Sequence, residues 1–291
     1  MHLLRAGSIC VANLSASVAV YERWLDYSPV EQGTLEGPLV KSWGTPGMEG
    51  ARFAVLRPAS GKDIFVRLIE ASPVKQFVPL TTYGWAALEF CVTDVLATHE
   101  QMRESPFEVI GPPRKITGLD AIHPMQVRGP DGEICYFTQI NDDLPDFALP
   151  RASSPIDHLF INVLAASDMA ATQRWLVDQV GLEIGRAHME IEYTMLAKAF
   201  GAPSGTLYAI STITHGRDVF LEVDQMPAQA GPRPRHEGML PPGICMTTIE
   251  APDFDALEGA AHAFRGAIYD GRRCKVLKDP DGTLFELVER G

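Results

Sequence analysis

The chain has 291 residues, 46% hydrophobic and 21% charged, which is the balance of a folded globular protein and not of a disordered one. Its 37 acidic and 25 basic residues give a formal net charge of -12, which argues against a nucleic-acid binder and against docking on anionic lipid. No apolar run reaches the ~18 residues that a membrane-spanning helix needs. The five cysteines, Cys10, Cys91, Cys135, Cys245 and Cys274, show no CxxC spacing and read as small core hydrophobes, not as a disulfide framework or zinc knuckle.

In chain order, residues 4–11 form a short apolar run and are expected as a strand. Residues 15–25 follow at helical spacing, with Val18, Tyr21, Trp24 and Leu25 on one face. The uncharged stretch 6–20 is interrupted by Ser8, Asn13, Ser15 and Ser17, so it reads as strand, turn and helix and not as a secretory leader, and a cytoplasmic protein is expected. Residues 52–57 and 63–70 read as strands joined through a turn at Ser60-Gly61. A strand at 86–92, a helix at 95–103 and a hairpin (125–128 and 134–140, turning at Pro130-Asp131-Gly132) complete the first half. Residues 141–155 hold three prolines and a run of acids and read as a linker. Strands at 158–163 and 243–249 then open two further units.

The chain repeats itself. Arg23-Trp24-Leu25 recurs as Arg174-Trp175-Leu176, Gly61-Lys62-Asp63-Ile64-Phe65 as Gly216-Arg217-Asp218-Val219-Phe220, and Gly129-Pro130-Asp131-Gly132 as Asp279-Pro280-Asp281-Gly282. The offsets are 151, 155 and 150, so a unit of about 150 residues is duplicated. Each half holds two smaller units of strand, helix and two or three strands.

Four βαβββ modules, an aromatic near the end of a module helix, and Asp-Pro-Asp-Gly before an apolar strand resemble the vicinal oxygen chelate superfamily. That superfamily includes glyoxalase I, extradiol ring-cleaving dioxygenases, epimerases and bleomycin or fosfomycin resistance proteins. The resemblance spans essentially the whole chain and speaks to fold far more than to function. It implies an α+β protein in which four βαβββ modules form two cupped mixed β-sheet domains with flanking helices. The division expected is a glyoxalase-like domain without metal ligands at 1–140, a linker at 141–155, and a glyoxalase-like domain with a metal site at 156–291.

The resemblance also implies a metal inside the cup, held from the first strand of a module (usually by His) and from the last (usually by Glu). Counting five residues back from the recurring Val11, Val92, Val163 and Ile249 puts Ala6, Ala87, His158 and Ile244 in the first-strand positions. The last-strand positions fall on Arg67, Tyr136, Glu222 and Glu286. The first half is therefore expected to be metal-free. His158, Glu222 and Glu286 are expected to converge on a divalent ion, Zn, Ni, Mn or Fe(II), with Ile244 leaving one side open.

Other residues bear on substrate. Glu222 or Glu286 is a candidate general base. Tyr269 is a candidate catalytic phenol; with Arg272 and Arg273 it precedes the last hairpin and is a candidate grip for an anionic or phenolic substrate, and a solvent-facing basic turn explains the two arginines equally well. Tyr193 ends a stretch expected to line the third module's cup. Arg67, if buried, needs an anionic partner and is a candidate carboxylate binder; otherwise it snorkels to solvent. His236, in the Pro/Gly-rich stretch 231–243, reads as a loop histidine, and His215 as a turn residue. There is no GxGxxG, P-loop or GxSxG motif.

Three functions are expected from this set. The first is a metal-dependent glyoxalase-like isomerase, lyase or epimerase that stabilises an enolate of a small carbonyl or vicinal-oxygen substrate. The second is an extradiol-type ring-cleaving dioxygenase, from which Ile244 departs because that chemistry uses two histidines and a carboxylate. The third is a metal-free small-molecule binding or resistance protein. The partner expected is a small-molecule substrate, with no nucleic acid and no membrane; a homodimer is left open.

Overall fold

A computed structural model describes residues 2–116 and 119–291. Module one runs β1 (Leu4–Val11), α1 (Leu14–Leu25), β2 (Tyr27–Thr34), α2 (Gly37–Trp43), β3 (Arg52–Pro58) and β4 (Phe65–Glu70). Module two follows with β5 (Gly84–Val92), α3 (Val95–Arg103), β6 (Glu108–Gly111), β7 (Ile122–Arg128) and β8 (Ile134–Ile140). Module three comprises β9 (Ile156–Ala166), α4 (Met169–Trp175), β10 (Glu183–Ile184), β11 (Met189–Glu192), α5 (Thr194–Ala199), β12 (Leu207–His215) and β13 (Asp218–Gln225). Module four closes the chain with β14 (Gly243–Glu250), β15 (His262–Ala263), β16 (Arg273–Lys278) and β17 (Leu284–Val288).

Each module opens with a buried strand and a capped turn. Asn13 accepts a hydrogen bond from the Ala16 amide, Asp94 from Leu96 and Ala97, and Asp168 from Ala171, which satisfies first-turn donors that have no partner inside the helix. Asp253 makes the same bond to Ala256, yet no helix follows. Six residues on, Gly259 sits in the left-handed region at φ 94° and ends the turn. The fourth module thus departs from the expected strand–helix order.

The strands form two curled mixed sheets. One has the order β15-β16-β17-β14-β1-β4-β3-β2 and joins modules one and four; the other, β10-β12-β13-β9-β5-β8-β7-β6, joins modules two and three. In each sheet the two opening strands lie antiparallel at the centre, β1 beside β14 and β5 beside β9. This corrects the expected division into cups at 1–140 and 156–291: each sheet takes one module from each half. The short linker carries β8 directly to β9, which docks on β5, and modules one and four are left to close on each other. The linker is also structural. The Ala148 amide donates to the Arg217 carbonyl, and Phe147 and Leu149 pack into the module two/three cup.

The sheets share a core built from one face of each, including Ile9, Leu68, Leu88, Phe90, Leu159, Leu164 and Phe285, all buried. At Gly7 the approach is so close that a Cβ would lie 2.6 Å from a Leu88 methyl, so any side chain here would have to displace Leu88. The opposite faces line two cups. All five cysteines are free and buried. Among the described residues, no helix is long and apolar enough to cross a membrane.

Candidate functional site

Strand register fixes which residues meet on each cup floor. β1 and β4 pair Ser8 with Arg67, β5 and β8 pair Glu89 with Tyr136, β9 and β13 pair Val163 with Glu222, and β14 and β17 pair Thr248 with Glu286. Ser8, Glu89, Val163 and Thr248 each precede the capping residue Asn13, Asp94, Asp168 or Asp253 by five positions. The last-strand residues are those found by sequence alignment. The first-strand residues are not: Ala6 and Ala87 lie two positions early, Ile244 four, and His158 five.

The module one/four cup is filled. Arg67 is 2% exposed and Glu286 is 0% exposed, and they form an ion pair at 2.8 Å. Arg67 also donates to the Tyr269 hydroxyl at 2.7 Å and to Ser8 Oγ at 2.9 Å. Glu286 accepts from the Trp43 indole at 2.7 Å, from Tyr269 at 2.6 Å and from Thr248 at 2.6 Å. The guanidinium stacks 4.8 Å from the Trp43 ring centroid. Burial works to remove the Arg67 proton, but Glu286 and Tyr269 more than offset it and push the pKa up. Burial also pushes up the Tyr269 phenol. Every polar group here is paired, and Trp43, Met48 and Leu240 pack over the rest.

The module two/three cup is open. A cavity of about 500 Å³ runs between apolar walls that include Ile110, Phe160, Ile161, Ile210 and Val219. A bulge in β9, where Glu89 pairs with Ile161 and Phe90 with Leu159, turns both Phe160 and Ile161 toward it. The floor is polar. Glu89, Tyr136, Tyr193 and half-buried Glu222 all line the cavity. The Tyr136 and Tyr193 hydroxyls bond to each other, and Thr138 donates to Glu89. Burial pushes Glu89 up to about 8, with Thr138 opposing and Glu222 adding to the rise. Burial likewise lifts Glu222 well above the ordinary carboxyl range, reinforced by Asp224. Asp224 rises to about 7 through burial, against hydrogen bonds from Glu222 and Tyr193. Near neutral pH this floor therefore holds carboxylic acids that keep protons.

His158, Glu222 and Glu286 do not converge, which corrects the expected metal site. Glu286 belongs to the other cup. Glu222 lies beside Val163, and five residues of extended strand put His158 roughly 15 Å away along β9, beyond any shared coordination. His158 instead sits beside Cys91 (Sγ to Nδ1, 3.4 Å), Asp157 (3.3 Å) and Lys62 (Nζ to Nε2, 3.4 Å). Cys91, Asp157 and His158 bring three ligand-type atoms within 4.8 Å, a possible Cys/Asp/His site. Their surroundings do not fit an ion. Asp157 already accepts from Ser60, from the His158 amide and from the Ser153 amide and hydroxyl. Those hydrogen bonds pull its pKa below the ordinary range despite burial. The Lys62 ammonium opposes a second cation, and burial pushes the Cys91 thiol up to about 12. The eight register positions of the cup floors hold no imidazole; Glu286 is tied to Arg67 and Tyr136 is bonded to Tyr193, which leaves Glu89 and Glu222 as the carboxylates not held by a cation. The residues present do not suit the divalent ion that the resemblance implied.

Of the other candidates, Tyr193 and Glu222 line the cavity. Tyr269 and Arg67 lie in the filled cup. Arg273 is on the surface, paired with Glu289 and Asp255, because β16 turns it outward. His236 is exposed, with its ring 3.5 Å from the Pro73 carbonyl. The alignment passed over Glu89 and Asp224. Counting back from the capping residue, a feature of the sequence itself, would have found Glu89.

Neither a protein-family model nor a curated protein sequence matches the chain. Solved structures do match its fold. Glyoxalase I from Zea mays aligns at a TM-score of 0.63 with 14% identity, over 99% of this chain and 92% of the maize one. A dioxygenase-like protein from Bacillus subtilis aligns at 0.64 with 11% identity, over 98% of this chain and 84% of that one. The chain shares the fold of these two structures, and the likeness extends to fold alone.

Proposed function

We propose that the protein binds a predominantly apolar small molecule in the module two/three cup, without a metal ion. The observation that carries this reading is an open apolar cavity of about 500 Å³ over a floor of Glu89, Glu222, Tyr136 and Tyr193. That volume is in the range of small-molecule sites, and a few polar groups beneath apolar walls is their usual composition. The expected enolate chemistry and extradiol ring cleavage were built on His158, Glu222 and Glu286, and those three side chains do not converge. The test is titration with an apolar fluorescent probe such as a naphthalene sulfonamide, before and after exhaustive chelation. Equal binding at one site is expected, abolished by Ile191→Trp, which fills the cavity from the edge strand β11. Probe binding that disappears on chelation and returns with metal would overturn the reading.

A second reading is favoured by one observation: Glu89, at about 8, lines the cavity beside Glu222. A carboxyl group poised near neutral pH suits general acid–base catalysis, so the same cup supports a metal-independent proton transfer on the bound molecule. Loss of turnover with retained binding in Glu89→Gln would identify that chemistry.

A further inference from the structure

The open cup has a charge imbalance that its own residues leave uncorrected. Glu89 on β5 lies near enough to Glu222 on β13 for that acid to raise its pKa, and Asp224 does the same to Glu222. Among the described residues, no arginine, lysine or histidine forms an ion pair with any of the three. Asp224 is 2% exposed, and its Oδ1 has no hydrogen-bond partner. The arginines lining the cavity are engaged away from the floor: Arg114 with Glu192, and Arg186 with Asp146. In the filled cup, by contrast, Glu286 has Arg67 at 2.8 Å. Two buried acids and the half-buried Glu222 without a cation are costly to ionise, and a positive group placed among them recovers that cost.

We infer that the ligand brings this cation: a protonated amine on an apolar, aromatic-sized body, with the ammonium between Glu89 and Glu222 and the body against Phe160, Ile161, Ile210 and Val219. The inference rests on the small-molecule reading of this cup and adds the ligand's charge class. The rings of Tyr136 and Tyr193 favour a cation at their faces, and their oxygens can accept from it. A neutral ligand of the same shape would leave the acids protonated. An anionic one would meet them as they ionise. Docking of an ammonium should shift the floor carboxyls to their charged form and expel their protons to solvent. Beyond the floor acids, the charged residues lining the cavity are Arg114, Arg186, the exposed Lys198 and Glu192; the three cations would disfavour an ammonium held beside them, and Glu192 is paired with Arg114.

The test uses three isosteric probes, 1-naphthylmethylammonium, 1-naphthylmethanol and 1-naphthoate, titrated calorimetrically in two buffers of different ionisation enthalpy. At about pH 7.5 the ammonium is expected to bind about tenfold tighter than the alcohol, the gain of a charge-assisted contact, and naphthoate weakest. Its enthalpy should depend on the buffer, reporting proton release, while the alcohol's does not. At about pH 5.5, where the carboxyls hold their protons, the ammonium's advantage should shrink at least about threefold. Glu222→Gln and Glu89→Gln preserve shape, so both should fold, and each should lose the ammonium preference, read as the ratio of ammonium to alcohol affinity within that variant. Alcohol binding as tight as the ammonium, or naphthoate binding tighter, overturns the inference and leaves the small-molecule reading standing. Failure of all three probes removes both.

Discussion

The two cups share a plan: two opening strands antiparallel at the centre, each flanked by its own module's last strand, with four side chains meeting on the floor. In the module one/four cup the floor is Ser8, Arg67, Thr248 and Glu286, and the protein supplies both signs of charge itself. α2 and the residues beside it then bring Trp43 and Met48 down as a plug. In the module two/three cup the floor is Glu89, Tyr136, Val163 and Glu222, acid without base, and among the described residues no comparable plug closes the space. One fold thus gives a structural core where its floor is satisfied and a receptive cavity where it is not.

The comparison breaks first at Arg67. Arg67→Met would strand Glu286 in the interior, with an expected loss of about 3–5 kcal/mol in urea unfolding. Adding Glu286→Leu should restore most of that, since an apolar pair of similar volume removes the uncompensated charge. Next comes volume. Ala6→Phe, in a cup with no room, should cost about 1–3 kcal/mol. Ile191→Trp should cost less than about 1 kcal/mol, because its ring enters existing space, while abolishing probe binding. Thermal unfolding and probe titration of the two variants check both halves.

How much of this was legible in the sequence depends on the kind of signal. β1, α1, β5, α3 and the β7–β8 hairpin follow from apolar periodicity and turn residues, which are local. Module pairing is not local: nothing in residues 4–11 says whether they lie beside 84–92 or 243–250, and the halves of the repeat suggested the wrong partner. The site was misplaced by its anchor. Val163 was used as a landmark when it is itself a floor residue, so counting back from it led to His158. The caps Asn13, Asp94, Asp168 and Asp253 were the better landmarks, because each marks the point where chain geometry changes.

Smaller effects sharpen the comparison. Glu89 has a folded pKa of about 8 against an ordinary 4.5, so between those values the folded chain keeps a proton that the unfolded chain has released. Its contribution to stability is complete below about pH 4.5 and is lost as pH rises to about 8. Asp224, raised to about 7, acts in the same direction. Glu89→Gln should therefore flatten the decline between about pH 5 and 8 and raise the pH 8 midpoint by a few °C, measured by differential scanning calorimetry. The smallest effect is expected from His158→Gln. If His158 only orders Asp157 and Lys62, metal content should be unchanged and probe affinity should stay within about twofold; a larger loss of either would return this histidine to the site.

The most direct measurement is an anomalous diffraction map from crystals soaked with a bromonaphthalene probe and collected at the bromine edge, with an X-ray fluorescence scan for transition metals. The account predicts one bromine peak among Phe160, Ile161 and Val219, none in the cup that holds Arg67 and Glu286, and no metal peak beside Glu222 or His158. Bromine in the Arg67–Glu286 cup, or an ordered transition metal on the floor of either, would contradict it.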